Sequence, residues 1–391
     1  MPISPVPNPP APKTLEQRLS AEGLDLPRVV PSAPDAWPDW AASRVELFAS
    51  TMYGRTPSGG RLADVALRST EPGALRLQSD AHTSPVDRLR HSVTVEGPLG
   101  ALVIDTLLHL PSAASAEHPV PVVVGLNFDG NDETIDGDQA DRWPYDIAAE
   151  AGFAVLTADY RQIEPDDPHS EVPGVRALFP STGCVEAPWG ALGAWAWGLS
   201  RLLDAAETIE GIDASRAVVL GHSRLGKAAL WAGAQDARFA VVASNDSGCG
   251  GASLFRHAGG EDLATITTVF PHWFTPSFAS FAGAEQRLPV DQHELLACIA
   301  PRHVYVASAI DDDWADPAGE YLATLAATPA FELHGMSGPL VADPLPELGV
   351  STGEGIGYHV RAGGHDLTAE DWGHVLAFAR HAFSMPALEQ A

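Results

Sequence analysis

From Pro119 onward the chain repeats one pattern: a short, almost wholly apolar run, a stretch of helical period, and another apolar run. The apolar runs lie at residues 120–126, 154–159, 217–220, 240–244, 303–309 and 357–361. Strands that are apolar on both faces belong inside a parallel sheet, because each crossover between parallel neighbours lays a connection over one face. Residues 189–207, 226–234 and 370–382 carry the spacing of covering helices. Ahead of this region, residues 65–68, 91–95 and 101–108 alternate or run apolar between Gly and Pro breaks, which predicts antiparallel strands. Trp37, Trp40, Val45, Leu47 and Phe48 mark a short amphipathic helix. The expected architecture is an α/β three-layer sandwich, with a mostly parallel central sheet and an N-terminal antiparallel extension. We expect one catalytic domain over 22–386 behind a Pro-rich tail at 1–21, which ends in a helix start near Thr14.

Charge narrows the function classes. The 391 residues hold 23 Lys plus Arg against 51 Asp plus Glu, a formal net charge of −28. A field of that sign repels polyanions, so neither nucleic acid nor an anionic membrane surface is an expected partner. Residues 187–199 form the most apolar stretch, but Pro188 and several glycines interrupt it and it falls short of the roughly 20 residues that span a bilayer. Cys184, Cys249 and Cys298 include no CxxC pair, which argues against a disulfide framework or a thiolate zinc site. Asp129, Asp132, Asp136, Asp138 and Asp141 share one loop without the spacing of a calcium loop, so no metal and no cofactor is expected. No secretory signal is visible at the N-terminus, so the chain as written is expected in the cytoplasm, or secreted or periplasmic if a leader has been removed. A monomer is expected.

The chemistry concentrates in residues 217–227, where a buried strand runs through Gly221-His222-Ser223-Arg224-Leu225-Gly226-Lys227 into a helix. A nucleophile elbow needs this context: the serine is held exposed at a tight turn and the following N–H points at a developing oxyanion. The usual second glycine would fall at 225, where this chain has Leu, and it stands at 226 instead. A serine hydroxyl also needs a base, and the base needs an orienting acid. His365 follows the last predicted strand in a Gly-Gly loop, the position where such a base belongs. Two places offer the acid: Asp246 after the strand at 240–244, and the triple Asp311-Asp312-Asp313 after the strand at 303–309, with Asp312 its best member.

In these motifs the chain resembles the glucuronoyl esterases, carbohydrate esterase family fifteen, and especially their bacterial branch. The resemblance rests on residues 125–131, 195–201, 221–227, 247–251, 270–274, 288–293, 314–317 and 363–365, taken in order. It implies an α/β-hydrolase that cleaves the ester between (4-O-methyl-)glucuronic acid on xylan and an alcohol of lignin. Ser223 would be the nucleophile, His365 the base and Arg224 an oxyanion partner. Lys227, Trp314, Trp273 and His272 would contact the sugar, with His272 standing in for an acidic residue that the stretch between Asp262 and Glu285 lacks. The fungal members place a Glu 23 residues after the nucleophile, the position of Asp246, and we take Asp246 as the acid with Asp312 as the alternative. His222 stands where those enzymes have a disulfide-forming Cys. The competing readings are a hydrolase of the same fold acting on an acetylated sugar or small acyl ester, and a carbohydrate-binding protein without catalysis.

Overall fold

The computed structural model describes residues 14–29, 31, 34–76, 83–180 and 188–386. The tail up to residue 13 and Cys184 lie outside them. Each predicted apolar run is a strand: β1 (Arg61–Arg76), β2 (Thr83–Gly97), β3 (Gly100–Pro111), β4 (Val120–Asn127), β5 (Ala154–Asp159), β6 (Ile212–His222), β7 (Phe239–Asn245), β8 (His303–Ala309) and β9 (Ile356–Arg361). They form one sheet in the order β1-β2-β3-β5-β4-β6-β7-β8-β9. The pairs β1/β2, β2/β3 and β3/β5 are antiparallel, and every pair from β5/β4 to β8/β9 is parallel.

Successive side chains enter opposite cores, as the two-residue period of a strand requires. Val122 and Val124 of β4 join one apolar cluster and Val123 the other; Ala217 and Val219 of β6 divide from Val218 and Leu220 in the same way. One layer carries the helices Ala191–Ala206, Arg224–Gln235 and Pro317–Glu332, with Trp195, Trp231 and Tyr321 fully buried. The other carries Tyr145–Glu150 and Ala369–Ala382, with Trp143 and Trp372. Each valine withdrawn from water at these positions contributes about 1.5–3 kcal/mol. That driving force is why a run such as β5, buried at all six positions, reads as strand from sequence.

The helix Pro317–Glu332 was not among the expected ones. It is Ala-rich and buried nearly all round, so it has no polar face to display a period. Its start was nevertheless encoded: Asp316 accepts the Gly319 N–H at 3.0 Å and Pro317 occupies the first turn. Because β4 to β9 run parallel, their C-terminal ends share one edge of the sheet, and the loops beyond that edge carry Phe128, Ser223, Asp246, Asp312 and His365. Among the described residues no helix is long and apolar enough to cross a membrane.

Candidate active site

β6 ends at His222 and the next helix begins at Arg224, leaving Ser223 alone in the turn with φ 57° and ψ −129°. A non-glycine residue in such a conformation costs about 1–3 kcal/mol, so its surroundings must hold it there. The Ser223 N–H donates to Asn245 O at 2.9 Å, and the Ser223 carbonyl accepts Gly226 N–H at 2.9 Å. The turn is also close-packed. A Cβ on Gly221 would come within 2.1 Å of Leu225 O, and one on Gly226 would come within 3.0 Å of Gly221 O and Ser244 Oγ. The second glycine therefore stands at 226 because that residue, not Leu225, faces the ends of β6 and β7.

Ser223 Oγ lies 2.9 Å from His365 Nε2, and His365 Nδ1 lies 2.6 Å from Asp312 Oδ2. Burial pushes the Asp312 carboxyl up, but the His365 hydrogen bond and charge, with the Ala315 N–H at 3.2 Å, outweigh it and hold the group below its ordinary value. Beside His365, at 4.6 Å between ring centres, His222 is buried with Nδ1 2.5 Å from Asn245 Oδ1. Burial, then the neighbouring His365, brings His222 down to about 3, so it packs there as a neutral imidazole.

Asp246, expected as the partner of His365, is placed against other groups by this geometry. Its Oδ1 accepts Ala309 N–H at 2.8 Å, and its Oδ2 accepts Asp366 N–H and Arg361 Nη2, each at 3.3 Å. Asp246 has φ 44° and its own N–H donates to Ala307 O at 2.8 Å, which tucks the residue under the end of β8. From there the short Asp side chain meets the backbone of the two loops that carry Asp312 and His365, and the carboxylate on the imidazole is that of Asp312. Burial, and then the charge of Glu320, push Asp246 up to about 9 against the pull of Arg361.

A cavity of about 170 Å³ opens at Ser223, walled by Arg224, Lys227, Glu261, Trp273 and Trp314. Lys227 is 5% exposed and its Nζ donates to the carbonyls of Ser247 and Cys249, both at 2.6 Å. Burial lowers its pKa while the Glu261 charge opposes the shift. Glu261 is raised in turn by burial and drawn back by Lys227. An ammonium has three donors, so one remains for a ligand. The carbonyls that hold Lys227 belong to a turn fixed by Glu320, whose Oε1 accepts the N–H groups of Ser247 and Gly248 at 2.9 Å each. Burial brings Glu320 up to about 7. Trp314 is 58% exposed and stands at the mouth.

Arg224 pairs with Asp166, and its guanidinium lies 5.0 Å from the Trp273 ring centre and 5.4 Å from that of Phe270. Asp166 also accepts Trp273 Nε1 at 2.6 Å, His272 Nε2 at 2.8 Å and Tyr160 OH at 3.0 Å. Burial pushes Asp166 up, yet the hydrogen bonds from His272 and Trp273 and the Arg224 charge hold it well below the usual carboxylate range. His272 was expected against the sugar. Instead its side chain is 7% exposed and supports Asp166, because the segment that carries it packs on the start of the helix Ala191–Ala206 through Ala191 N–H to His272 O at 2.9 Å.

Sequence reasoning missed Asp166, Glu261 and Glu320. Asp166 sits in an acidic loop that reads as solvated, and Glu261 immediately precedes the Asp262 helix cap. Only for Glu320 was there a signal, a carboxylate inside an otherwise apolar helix. Among the described residues, the one cluster with metal-ligand spacing is Asp246, Asp312 and His365, with ligand atoms within 4.8 Å of one another. Both nitrogens of His365 already face Ser223 and Asp312, so the cluster is arranged as a hydrogen-bond relay. In the acidic loop, Asp132 pairs with Arg90.

A parallel sheet, a strained serine between strand and helix, and an acid and a histidine on later loops in the order Ser, Asp, His define an α/β-hydrolase. Residues 93–335 match the family model "Glucuronyl esterase, fungi". The chain is 37% identical over 378 residues to Carbohydrate esterase MZ0003 of an unknown prokaryotic organism, covering 88% of this chain and 85% of the relative. It is 41% identical over 135 residues to the 4-O-methyl-glucuronoyl methylesterase of Podospora anserina, 32% of this chain and 28% of that protein. Among solved structures, a glucuronoyl esterase from Solibacter usitatus superposes with a TM-score of 0.81 at 35% identity, over 92% of this chain and 98% of that one. The chain belongs to the glucuronoyl esterases. It is a carboxylic ester hydrolase acting on esters of glucuronic acid.

Proposed function

We propose that Ser223, His365 and Asp312 carry the reaction and that the cavity behind Arg224 takes the uronic acid of a glucuronoxylan–lignin ester. Ser223 Oγ attacks the uronoyl carbonyl as its proton passes to His365 Nε2. The imidazolium that forms is stabilised by Asp312. The carbonyl oxygen becomes an oxyanion facing the start of the helix Arg224–Gln235, whose first N–H groups have no partner within the helix, and the Arg224 side chain, held in place by Asp166. Collapse breaks the bond to the alkoxy oxygen, which takes the proton from His365 and leaves as the alcohol. Water then attacks the acyl-enzyme, again through His365, and releases glucuronate and free Ser223. In the cavity, Lys227 Nζ donates to a sugar hydroxyl, Glu261 accepts from one, and Trp314 covers a face of the ring. Asp246 holds the loops that carry Asp312 and His365 and does not contact the reacting atoms.

The observation that carries this reading is the unbroken line from Asp312 through His365 to Ser223, opening on a cavity with a buried Lys and Glu. Its test is hydrolysis of methyl and benzyl glucuronate against p-nitrophenyl acetate. Faster turnover of the glucuronates supports it; an acetate preference of orders of magnitude favours the small-acyl reading, and esterase activity untouched by Ser223→Ala removes the assignment of the nucleophile. A polymeric substrate does not cross a cell membrane, so the reading also implies an enzyme working outside the cytoplasm, and we further propose that it acts as a monomer. Cell fractionation and size-exclusion chromatography check these two points.

A further inference from the structure

Three separate segments set the sugar-facing walls of the cavity at Ser223. Lys227 is held by the turn at 247–249, Glu261 ends a loop that begins at Ser253, and Trp314 stands between β8 and the helix Pro317–Glu332. One side chain joins all three segments, and it does not line the cavity itself. Resting on the reading above, in which Lys227, Glu261 and Trp314 contact the uronic acid, we propose that Asp316 is a positioning residue for sugar recognition, a single carboxylate that fixes those three groups relative to one another.

Asp316 Oδ2 accepts the Ser253 hydroxyl at 2.7 Å and lies 2.8 Å from His257 Nδ1. A carboxylate oxygen only accepts, so the His257 hydrogen sits on Nδ1. Through Ser253 the carboxylate reaches the Lys227 turn: Ser253 N–H donates to Gly248 O at 3.1 Å, and a Cβ on Gly248 would come within 3.0 Å of Ala315 Cα. Through His257 it reaches the loop of Glu261, whose own N–H donates to Trp314 O at 3.0 Å. Two glycines let the loops meet there. A Cβ on Gly259 would come within 2.4 Å of Asp316 Oδ1, and one on Gly260 within 2.5 Å of Trp314 O. Trp314 stands two residues before Asp316 on the same turn.

Capping of the helix Pro317–Glu332 does not account for this arrangement. The cap uses Oδ1, which accepts Gly319 N–H, and leaves Oδ2 to the two donors of the 253–257 segment. The side chains of Asp316 and His257 are 5% and 15% exposed, so little water competes for these bonds. The reacting groups are held separately. Asp312 lies on the same loop as Asp316, but its contacts are His365, the Ala315 N–H and, through its own N–H, Ala309 O at 3.2 Å. Loosening Asp316 therefore weakens the hold on the sugar in ground and transition states alike, which raises KM and spares kcat.

The test sets a substrate with a sugar against one without. We measure kcat and KM for methyl glucuronate, and kcat/KM for p-nitrophenyl acetate, in the wild type, Asp316→Gly, His257→Ala and His257→Asn. Glycine accepts the φ of 60° at residue 316 and removes the carboxylate. Asparagine at 257 keeps an N–H donor as many bonds from Cα as His257 Nδ1. The glucuronate KM is expected to rise about tenfold in Asp316→Gly and about threefold in His257→Ala, with kcat and the acetate value within about twofold of wild type. His257→Asn is expected to return KM to within about twofold of wild type. His257→Ala leaves the cap of the helix Pro317–Glu332 in place, so it keeps the test open if Asp316→Gly does not fold. A glucuronate KM unchanged in the variants, even with a lowered Tm, leaves Asp316 a helix cap and overturns the proposal. An acetate kcat/KM that falls as far as the glucuronate value overturns it too, because the whole site has then loosened; in both cases glucuronate hydrolysis by the wild type leaves the uronoyl reading standing. If the wild type turns over p-nitrophenyl acetate but no glucuronate ester, the uronoyl reading fails and takes this proposal with it.

Discussion

Two loops leave neighbouring parallel strands at the same sheet edge, and each brings a buried aspartate near His365. Asp246 follows β7, is 1% exposed, and is pushed up to about 9; Asp312 follows β8, is 4% exposed, and is held below its ordinary value. Burial acts on both in the same direction. What separates them is the charge around them: Asp312 meets an imidazole that favours the carboxylate, whereas Asp246, although it accepts from two backbone N–H groups and the Arg361 guanidinium, lies under the charges of Glu320 and Asp312. Residue type and place in the chain therefore do not settle which aspartate meets His365. The direction of each loop does.

The largest test of this difference is Asp312→Ala, expected to lower kcat by about 10³–10⁴-fold with KM little changed, as removal of a triad acid does elsewhere. Asp246→Asn is expected to lower kcat by only about 10-fold, through loosening of the loops. Steady-state kinetics on one glucuronate ester decide it, and the reverse order would return the acid role to Asp246. Arg361→Lys comes next. Arg361 is buried and donates to Asp371 Oδ2 at 2.7 Å, to Asp366 O at 2.6 Å and to Gly364 O at 3.2 Å, so it ties down the loop that carries His365. Lysine keeps the charge but not the planar fork, and we expect about a fivefold loss in kcat with KM unchanged. A change confined to KM would place Arg361 outside the positioning of His365.

The smallest effect is one of pH and stability. The folded value of Asp246 lies above the about 3.9 of an unfolded Asp, so the native state keeps a proton that the unfolded chain has released. Its stabilising contribution is whole below about pH 4 and is lost as pH rises toward 9. In Asp246→Asn, Tm is therefore expected to decline less steeply between pH 5 and 9 than in the wild type, whatever constant offset the amide introduces. Parallel slopes in a thermal melt series would show that Asp246 is ionised in the fold.

Much of this molecule was legible as sequence because the information was local. A strand buried on both faces must be apolar throughout, so the parallel strands stood out. The elbow was readable because Ser223 needs Gly221 and Gly226 within a few residues of it. His365 could be found from its loop after the last strand. The long hairpin of β1 and β2 was only partly visible, since an exposed ribbon needs no apolar run. The helix Pro317–Glu332 was invisible to periodicity because it is buried all round.

The sequence by itself determined the apolar strands of the layered sheet, the strained serine turn and the Gly-Gly loop that carries His365, since each is written in residues near one another in the chain. Only the tertiary structure decided that Asp312 rather than Asp246 meets His365, that His272 and Asp166 fix Arg224, and that Glu261 faces Lys227. Those pairings join loops from different strands, Asp166 to Arg224 across 58 residues and Asp312 to His365 across 53. A hydrogen bond tolerates a few tenths of an ångström, and no spacing along a chain carries position that finely across a folded sheet.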